Sequence, residues 1–235
     1  MPLVIAMDGP SGSGKSSVSK GVARALGLRY LDTGAMYRAM TWWMLRQGVP
    51  VEDAEAVAAR AGEPVIEVGT DPDHPTITVD GTDVSKPIRT REVTNAVSAV
   101  SRVPEVRERL VALQRRIIGD GRIVVEGRDI GTVVAPDAPV KVFLTASEEI
   151  RAERRAKELA AEPGATLEVT QAEQARRDRL DSTRTASPLL KAADAEEIDS
   201  SAMSLEEVIA AVVRLAESAT ETTAATTTRA EERTQ

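Results

Sequence analysis

The sequence is poor in the residues that most often build metal sites and covalent cross-links. It contains no cysteine and a single histidine, His74, among 235 residues. The lack of thiols excludes disulfide bonds and thiolate metal sites, and it is compatible with a reducing compartment. Because His74 lies in a turn-rich segment between Pro72 and Pro75, we do not expect it to act as a general base or a metal ligand.

Aromatic residues and long apolar runs are also scarce. Aromatic side chains make up only 2% of the chain, so Val, Ile, Leu and Ala must fill the core. No segment approaches the roughly 20 apolar residues that a membrane helix requires. The apolar run at residues 3–7 is too short for the core of a signal peptide and is followed directly by Asp8 and glycines. We therefore expect a cytoplasmic protein that is not inserted into a membrane.

The sequence has fewer basic than acidic side chains. The chain carries 37 acidic against 30 basic side chains, a net charge of −7. This balance argues against a general surface for nucleic acids, but an acidic protein can still contain a local basic pocket. The length and the hydrophobic share of 42% are ordinary for one sizeable globular domain with inserts.

Short apolar runs alternate with helical patterns along most of the chain. The apolar runs predict buried strands at residues 3–7, 122–126 and 140–144. The helical patterns predict helices at residues 16–26 and 35–45. This alternation predicts an α/β fold of three layers, in which a doubly wound parallel sheet lies between helices. Ligands of such sheets bind at the carboxyl ends of the strands. Trp42 and Trp43, on the second helix, are expected to belong to the core.

Two internal segments and the tail depart from this alternation. Residues 64–88 combine short strand-like runs with turn residues and predict a small antiparallel hairpin inserted into the α/β frame. Residues 161–169 predict the tip of a helix-loop-helix. Beyond Leu215, Thr and Glu dominate and no apolar residue is larger than Ala. We therefore expect one domain over residues 1–216 and a disordered tail over residues 217–235.

The most specific motif is GPSGSGKS at residues 9–16, which satisfies G-x-x-x-x-G-K-[ST] and lies between a predicted strand and a predicted helix. In this P-loop motif, glycines let backbone N–H groups surround phosphates, and the helix adds its positive dipole end. Lys15 is expected to reach the β- and γ-phosphates of ATP, and the Ser16 hydroxyl to hold Mg²⁺. The predicted ATP-binding residues are Gly9, Pro10, Ser11, Gly12, Ser13, Gly14, Lys15, Ser16 and Ser17.

Residues for a second, acceptor anion are spread over three segments. Thr33 and Arg38 lie at the start of the second helix, and Arg128 with Asp129 follows a buried strand. Arginines converging on a P-loop are what phosphoryl transfer needs, because this chemistry depends on positioning and charge stabilisation. The third segment holds Arg176, Arg177, Arg179 and Arg184. Two of these segments also have a simpler interpretation: a surface turn for residues 128–129, and a solvated helix face for the arginine cluster.

These segments together resemble the bacterial cytidylate kinase family of nucleoside-monophosphate kinases. The resemblance rests on the P-loop block, on LDTGAMYR at residues 31–38, IRTREV at 88–93, GRDIGTVV at 127–134, APVKVFL at 138–144 and DSTR at 181–184. It covers residues 3–215. The P-loop is shared by many enzymes, but the DTGAMYR and GRDIGTVV blocks together are highly specific.

The resemblance implies a kinase that uses ATP and Mg²⁺ to phosphorylate CMP or dCMP. It implies a monophosphate-binding insert at about residues 33–102 and a helical lid at about 152–180. Arg154 and Arg155 in the lid are implied to fold over the transferring phosphate. No segment resembles a dimerisation helix, so we expect a monomer.

The family's site residues can be assigned to matching positions of this chain. The resemblance implies that Arg38 and Arg128 bind the acceptor phosphate near Thr33, and that Arg177 and Asp181 address the sugar. It places Ser98, Arg107, Asp129 and Arg184 around the cytosine. A carboxylate at residue 129 would accept from the 4-amino group of cytosine but would face the oxygen of uracil unfavourably. The implied catalytic residues are Lys15, Arg38, Arg128 and Arg177, and the implied CMP site adds Thr33, Tyr37, Ser98, Arg107, Asp129, Asp181 and Arg184.

Three alternatives remain open at the level of sequence. A P-loop kinase of another small molecule, such as a different monophosphate, shikimate or dephospho-coenzyme A, would share most of these features. A P-loop GTPase or ATPase switch would need a guanine-reading N-K-x-D segment, and the sequence has none. A nucleotide-dependent regulatory or nucleic-acid-binding module would need a basic face, which the charge balance disfavours.

Overall fold

The computed structural model describes residues 3–158, 167–183 and 187–232, and its central element is a parallel sheet. The predicted α/β fold is confirmed. Five strands lie in the order β2-β6-β1-β7-β8, and every pair is parallel. The strands of this sheet are β1 (Val4–Asp8), β2 (Arg29–Asp32), β6 (Ile123–Glu126), β7 (Val140–Thr145) and β8 (Glu196–Asp199).

Helices cover both faces of the sheet. The helices of the described residues are α1 (Lys15–Leu26), α2 (Thr33–Arg46), α3 (Ala54–Arg60), α4 (Arg91–Ser101), α5 (Pro104–Ile118), α6 (Glu148–Glu158), α7 (Leu167–Thr183) and α8 (Leu205–Glu232). A short 3₁₀ turn occupies Pro87–Arg89, and a π-helical turn occupies Ile130–Val134. None of the described helices is long and apolar enough to span a lipid bilayer.

The two faces of the sheet build two separate hydrophobic cores. In β1, Ile5 and Met7 pack with α1 and α8, whereas Ala6 belongs to the core formed with α2, α4 and α5. Such strands are buried on both faces, which explains why they read as continuous apolar runs rather than as alternating ones. Trp43 is buried and Trp42 packs against the same core, as predicted.

The insert is a three-stranded antiparallel sheet in the order β3-β4-β5 (β3 Ile66–Val68, β4 Ile77–Val79, β5 Thr82–Asp83). The predicted hairpin is therefore present, with one further short strand. Asp80 at the turn has φ of 51°. Its carboxylate accepts from Trp43 Nε1 at 2.9 Å and from Val65 N at 2.8 Å, which fixes the insert to α2.

The C-terminal segment differs from the expectation. The sequence predicts a disordered tail from residue 217, but α8 continues to Glu232. Val208, Val212 and Ala216 are buried against the core, so the first part of the helix is anchored. The Thr220 hydroxyl donates to Ala216 O at 2.8 Å within the helix. Thr is a weak helix former, so the extension of the helix depends on its anchored first part, from which propagation needs no new nucleation, and on the interspersed Ala and Glu.

The predicted lid can be described only at its flanks. Residues 159–166, which include most of the expected tip, lie outside the described residues. The flanking helices α6 and α7 pack against each other. They place charged residues beside the loop that connects β1 to α1.

Candidate active site

The loop between β1 and α1 is the predicted P-loop, and its backbone has little freedom. Gly9 has φ of 147°, and a Cβ atom there would lie 2.0 Å from the carbonyl oxygen of Leu144 in β7. No side chain can be accommodated at that distance, because the obstacle is backbone. Gly12 and Gly14 also have positive φ. The loop therefore approaches the neighbouring strand as closely as its backbone allows, directly before α1.

Lys15 is buried at the base of this loop. Its Nζ donates to Pro10 O at 2.6 Å and lies 3.4 Å from Ser13 Oγ. Burial, followed by the positive charge of Arg128, lowers the pKa of Lys15 to about 7. The surroundings of this ammonium neutralise its positive charge only in part, and a phosphate anion would stabilise the charged form.

Glu126 is a site residue that the sequence reasoning missed. Its carboxylate accepts from Ser16 Oγ at 3.0 Å and from the hydroxyl of Tyr30. Burial, followed by the charge of Asp32, raises the pKa of Glu126 to about 7. The register of β2 and β6 places Asp32 directly opposite Glu126. The available signal was an acidic residue ending an otherwise apolar strand in the sequence Ile-Val-Val-Glu.

Asp8 is a second acidic residue that the sequence reasoning left unassigned. Its carboxylate accepts from Ile130 N at 2.8 Å and Gly131 N at 2.7 Å. Burial raises the pKa of Asp8 to about 6, although these two hydrogen bonds oppose the shift. The contact joins the end of β1, where the P-loop begins, to the turn that directly follows Arg128 and Asp129.

Helices α6 and α7, which flank the predicted lid, contact the P-loop from the other side. Asp178 of α7 accepts from Ser11 N at 3.2 Å and pairs with Arg151 of α6, whose guanidinium donates to Ser11 O at 3.1 Å. Arg154 donates to Ser200 Oγ and Ser200 O, both at 2.9 Å. Ser200, after β8, was also missed by the sequence reasoning, and it is within 3.3 Å of Ser13 O.

Next to the P-loop lies a cavity that is built from distant segments of the chain. It is bordered by α2, by α4 and the start of α5, by the segment after β6, and by α7. Arg184 lies outside the described residues, but the structure brings the other predicted CMP-site residues together here. The lining comprises Thr33, Gly34, Tyr37, Arg38, Val97, Ser98, Ser101, Arg107, Gly127, Arg128, Asp129, Arg177 and Asp181.

A buried ion pair forms one wall of this cavity. Arg107 and Asp129 are each only 4% exposed and are paired with each other. The Arg107 guanidinium also donates to Ser101 O at 3.3 Å and lies 5.4 Å from the ring centre of Tyr37. Its Nε has no hydrogen-bond partner among the described residues. A ligand here meets both a fixed carboxylate and a fixed guanidinium.

Arg128 and Asp181, predicted to bind different parts of the substrate, bind each other. Arg128 Nε donates to Asp181 Oδ2 at 2.9 Å, and Arg128 Nη1 donates to Gly9 O at 3.0 Å. Gly127 precedes this arginine, and a Cβ there would lie 2.6 Å from Thr33 Oγ1. The chain therefore passes close to α2 before Arg128 crosses towards the P-loop.

Two further arginines crowd the same region. Burial, followed by the charge of Arg177, lowers the pKa of Arg38 to about 9. Burial, followed by the charge of Arg128, lowers the pKa of Arg177 to about 10. Of the clustered arginines on α7, Arg176 and Arg179 are exposed while Arg177 faces the cavity. The solvated-face interpretation thus applies to part of the cluster.

The arginines also connect two cavities. A second cavity lies over the P-loop and is lined by Lys15, Ser16, Asp32 and Glu126, among others. Arg38, Arg128 and Arg177 line both this space and the cavity beside it. Positive charge is therefore concentrated at the boundary between the two.

Comparison with known proteins supports the family resemblance that was inferred from the sequence motifs. The sequence profile described as cytidylate kinase matches residues 5–218. A protein named cytidylate kinase from Streptomyces coelicolor is 59% identical over 217 residues, covering 92% of this chain and 93% of the relative. One from Mycobacterium leprae is 56% identical over 215 residues, covering 91% and 95%.

Among solved structures, an uncharacterized protein from Eubacterium ventriosum is similar, with a TM-score of 0.50 and 12% identity, covering 93% of this chain and 99% of that one. This similarity concerns the fold alone. The resemblance inferred from the motifs is confirmed by the profile and the relatives, and the chain belongs to the cytidylate kinase family.

Proposed function

We propose that the protein transfers the γ-phosphoryl group of ATP to CMP or dCMP, giving ADP and CDP or dCDP. The observation that carries this proposal is the position of Arg38, Arg128 and Arg177, which line both the P-loop space and the adjoining cavity. Two anionic substrates must approach each other for transfer, and cations at their boundary offset the repulsion. The relatives named cytidylate kinase support the choice of acceptor.

The reaction proceeds by direct in-line transfer. An oxygen of the CMP phosphate attacks the γ-phosphorus, and the bond from that phosphorus to the β,γ-bridging oxygen breaks, so that ADP leaves. Lys15 exchanges its contact with Pro10 O for the ATP phosphates, whose charge restores its ammonium form. The arginines stabilise the charge spread over the transferring oxygens. The protein needs no nucleophile of its own for this step.

The residues beside Ser16 fit a magnesium ion. Mg²⁺ prefers oxygen ligands and is bound through one or two carboxylates together with substrate phosphates. Ser16 Oγ and Glu126 Oε2 are 3.0 Å apart, and Asp32 lies opposite Glu126 across the strand pair. When bound, the ion neutralises phosphate charge. Ser16, Glu126 and Asp32 would hold it, directly or through water.

The pair of Arg107 and Asp129 supports recognition of cytosine. The 4-amino group of cytosine is a donor that a carboxylate accepts, whereas the oxygen of uracil at the same position would face two acceptors. Because both side chains are buried, a wrong base would leave a polar group without a partner, which is costly. Ser98 lines the same cavity.

The test is a coupled assay of ADP release with Mg-ATP and CMP, dCMP, UMP, AMP or GMP, each supplied separately. We expect strong turnover with CMP and dCMP only. Turnover that prefers AMP or GMP would keep the phosphotransferase and reject the cytosine pocket. ADP release that does not depend on any acceptor would reject the kinase itself. The variant Asp137→Asn, at an exposed position outside both cavities, should match the wild type.

Because no segment of the sequence resembles a dimerisation helix, we expect the protein to act as a monomer. We expect a single species of about 25 kDa in sedimentation experiments. A larger assembly that alone carries activity would contradict this.

A further inference from the structure

We propose that Tyr30 is a positioning residue for the magnesium site and acts through Glu126. The inference rests on the proposed function, because it concerns the metal that accompanies ATP. Tyr30 lies on β2 and is only 1% exposed. Its hydroxyl donates to Glu126 Oε1, while Ser16 donates to Glu126 Oε2 at 3.0 Å. Each oxygen of the carboxylate therefore has its own donor.

The strand register explains how the tyrosine reaches the carboxylate. Tyr30 is opposite Val124 in the pairing of β2 with β6, and Glu126 is two residues further along β6. Residues related in this way lie on the same face of a sheet, at a diagonal distance that a long aromatic side chain can span. Tyr30 and Val124 both belong to the core beneath α1 and α8, so the ring has a fixed position.

Two donors on one carboxylate fix its plane. Without the phenol hydroxyl, Oε1 would lose its partner and the carboxylate could rotate away from Ser16. The backbone of Glu126 would stay in place, because its carbonyl oxygen accepts from Thr33 Oγ1 at 2.7 Å. Loss of the hydroxyl should therefore affect the side chain of Glu126 and leave the acceptor cavity unchanged.

Positioning of this kind has a specific consequence for metal binding. Mg²⁺ demands near-ideal octahedral geometry, so a carboxylate that moves binds the ion or its water shell less well. Outer partners that orient a metal ligand typically contribute 10- to 100-fold to affinity. Because Tyr30 is one of two donors, we expect an effect towards the lower end of that range.

The experiment is calorimetric titration of ADP into the Tyr30→Phe variant and the wild type, with EDTA and then at increasing Mg²⁺. No acceptor is present, so the result does not depend on the identity of the acceptor. In EDTA the two proteins should bind ADP within about twofold of each other. The Mg²⁺ concentration that gives half of the metal-dependent gain in affinity should rise about tenfold in the variant.

A matched control separates positioning from packing. Lys20 Nζ lies 5.6 Å from the centre of the Tyr30 ring, so Lys20→Met changes the surroundings of the ring and keeps the hydroxyl. This variant should show the magnesium dependence of the wild type. The Glu126→Gln variant should weaken the dependence at least as much as Tyr30→Phe, and the double variant should add little, because both changes act on one carboxylate.

The outcomes are distinguishable. A Tyr30→Phe protein with lowered thermal stability but unchanged magnesium dependence would assign Tyr30 a structural role only and overturn the inference. Full additivity of the two substitutions would also overturn it. A wild-type protein whose ADP affinity ignores Mg²⁺ would instead contradict the proposed function.

Discussion

The proposed donor side of the site, which is the P-loop, and the proposed acceptor side, which is the cavity beside it, are built in different ways. The P-loop is one contiguous segment between β1 and α1, and its shape follows from glycines that allow positive φ and close backbone contact. The acceptor cavity is assembled from four separated parts of the chain. Its polar groups are held mainly by one another, as in the pairs Arg107–Asp129 and Arg128–Asp181. Local sequence therefore determines the shape of the donor side, whereas tertiary packing determines the shape of the acceptor side.

The largest expected effect lies on the donor side. Lys15→Met should lower kcat by about a thousandfold with every acceptor, because the lysine acts on the ATP phosphates. The fold should persist, since a buried ammonium whose pKa burial lowers to about 7 is replaced by an apolar chain of similar length. Steady-state kinetics with CMP and dCMP measure the change. A loss confined to one acceptor would break the distinction between the two sides.

The contact of Asp8 with the backbone of Ile130 and Gly131 should affect how the free energy of unfolding depends on pH. Burial raises the pKa of Asp8 to about 6, from an ordinary value of 3.8. The unfolded chain therefore loses this proton at lower pH than the native protein does. Between about pH 4 and 6 the native state binds more protons, so this residue makes the free energy of unfolding fall as pH rises, by about 3 kcal/mol.

Denaturation in urea at several pH values tests this expectation. The Asp8→Asn variant should lack this part of the pH dependence. Glu126, whose pKa is also raised, should retain its own contribution of the same sign up to about pH 7. Equal pH slopes for the variant and the wild type would show that Asp8 ionises normally in the folded protein.

A smaller effect, confined to substrate choice, is expected on the acceptor side. Asp129→Asn should reduce the preference for CMP over UMP by roughly 30-fold in kcat/KM, or about 2 kcal/mol. An amide can turn its donor towards the oxygen of uracil, whereas a carboxylate cannot. Competition assays with mixed CMP and UMP give the ratio directly, and Asp137→Asn serves as the control. An unchanged ratio would remove Asp129 from base recognition.

The smallest effect is expected at the tip of the insert. Arg24 of α1 pairs with Asp73 at 2.6 Å, but both side chains are more than half exposed. Exposed pairs of this kind contribute about 0–1 kcal/mol. Arg24→Ala should therefore change the free energy of unfolding by less than about 1 kcal/mol and leave the KM for CMP unaltered. A marked rise in KM would mean that the tip, and not the buried pairs, sets the acceptor cavity.

The same difference explains what the sequence could predict. The P-loop and its lysine followed from glycine spacing, and the strands followed from apolar runs that are buried on both faces. The motifs also named most of the cavity lining through the family resemblance. The roles of Asp8 and Glu126 could not be predicted, because they depend on strand register and on partners more than 90 residues away.

The partners of the buried charged residues and the helical conformation of the tail could not be predicted from local sequence either. Sequence alone could not show that Arg128 binds Asp181, because 53 residues separate them. The tail was expected to be disordered from its composition, but helix α8 is anchored by Val208 and Val212, which the composition of the later residues does not reveal.

Glu126 makes the two sides of the site inseparable under mutation. Its side chain binds Ser16 of the P-loop helix, and its carbonyl oxygen accepts from Thr33 in the acceptor region. Substitutions at Glu126 that alter the acceptor pocket should therefore also disturb the proposed magnesium site. Substitutions that change substrate choice should instead fall at cavity residues away from this junction, such as Ser98, Arg107 or Asp129. Cavity residues away from Glu126 can therefore vary, whereas Glu126 itself is constrained by its contacts with both sides of the site.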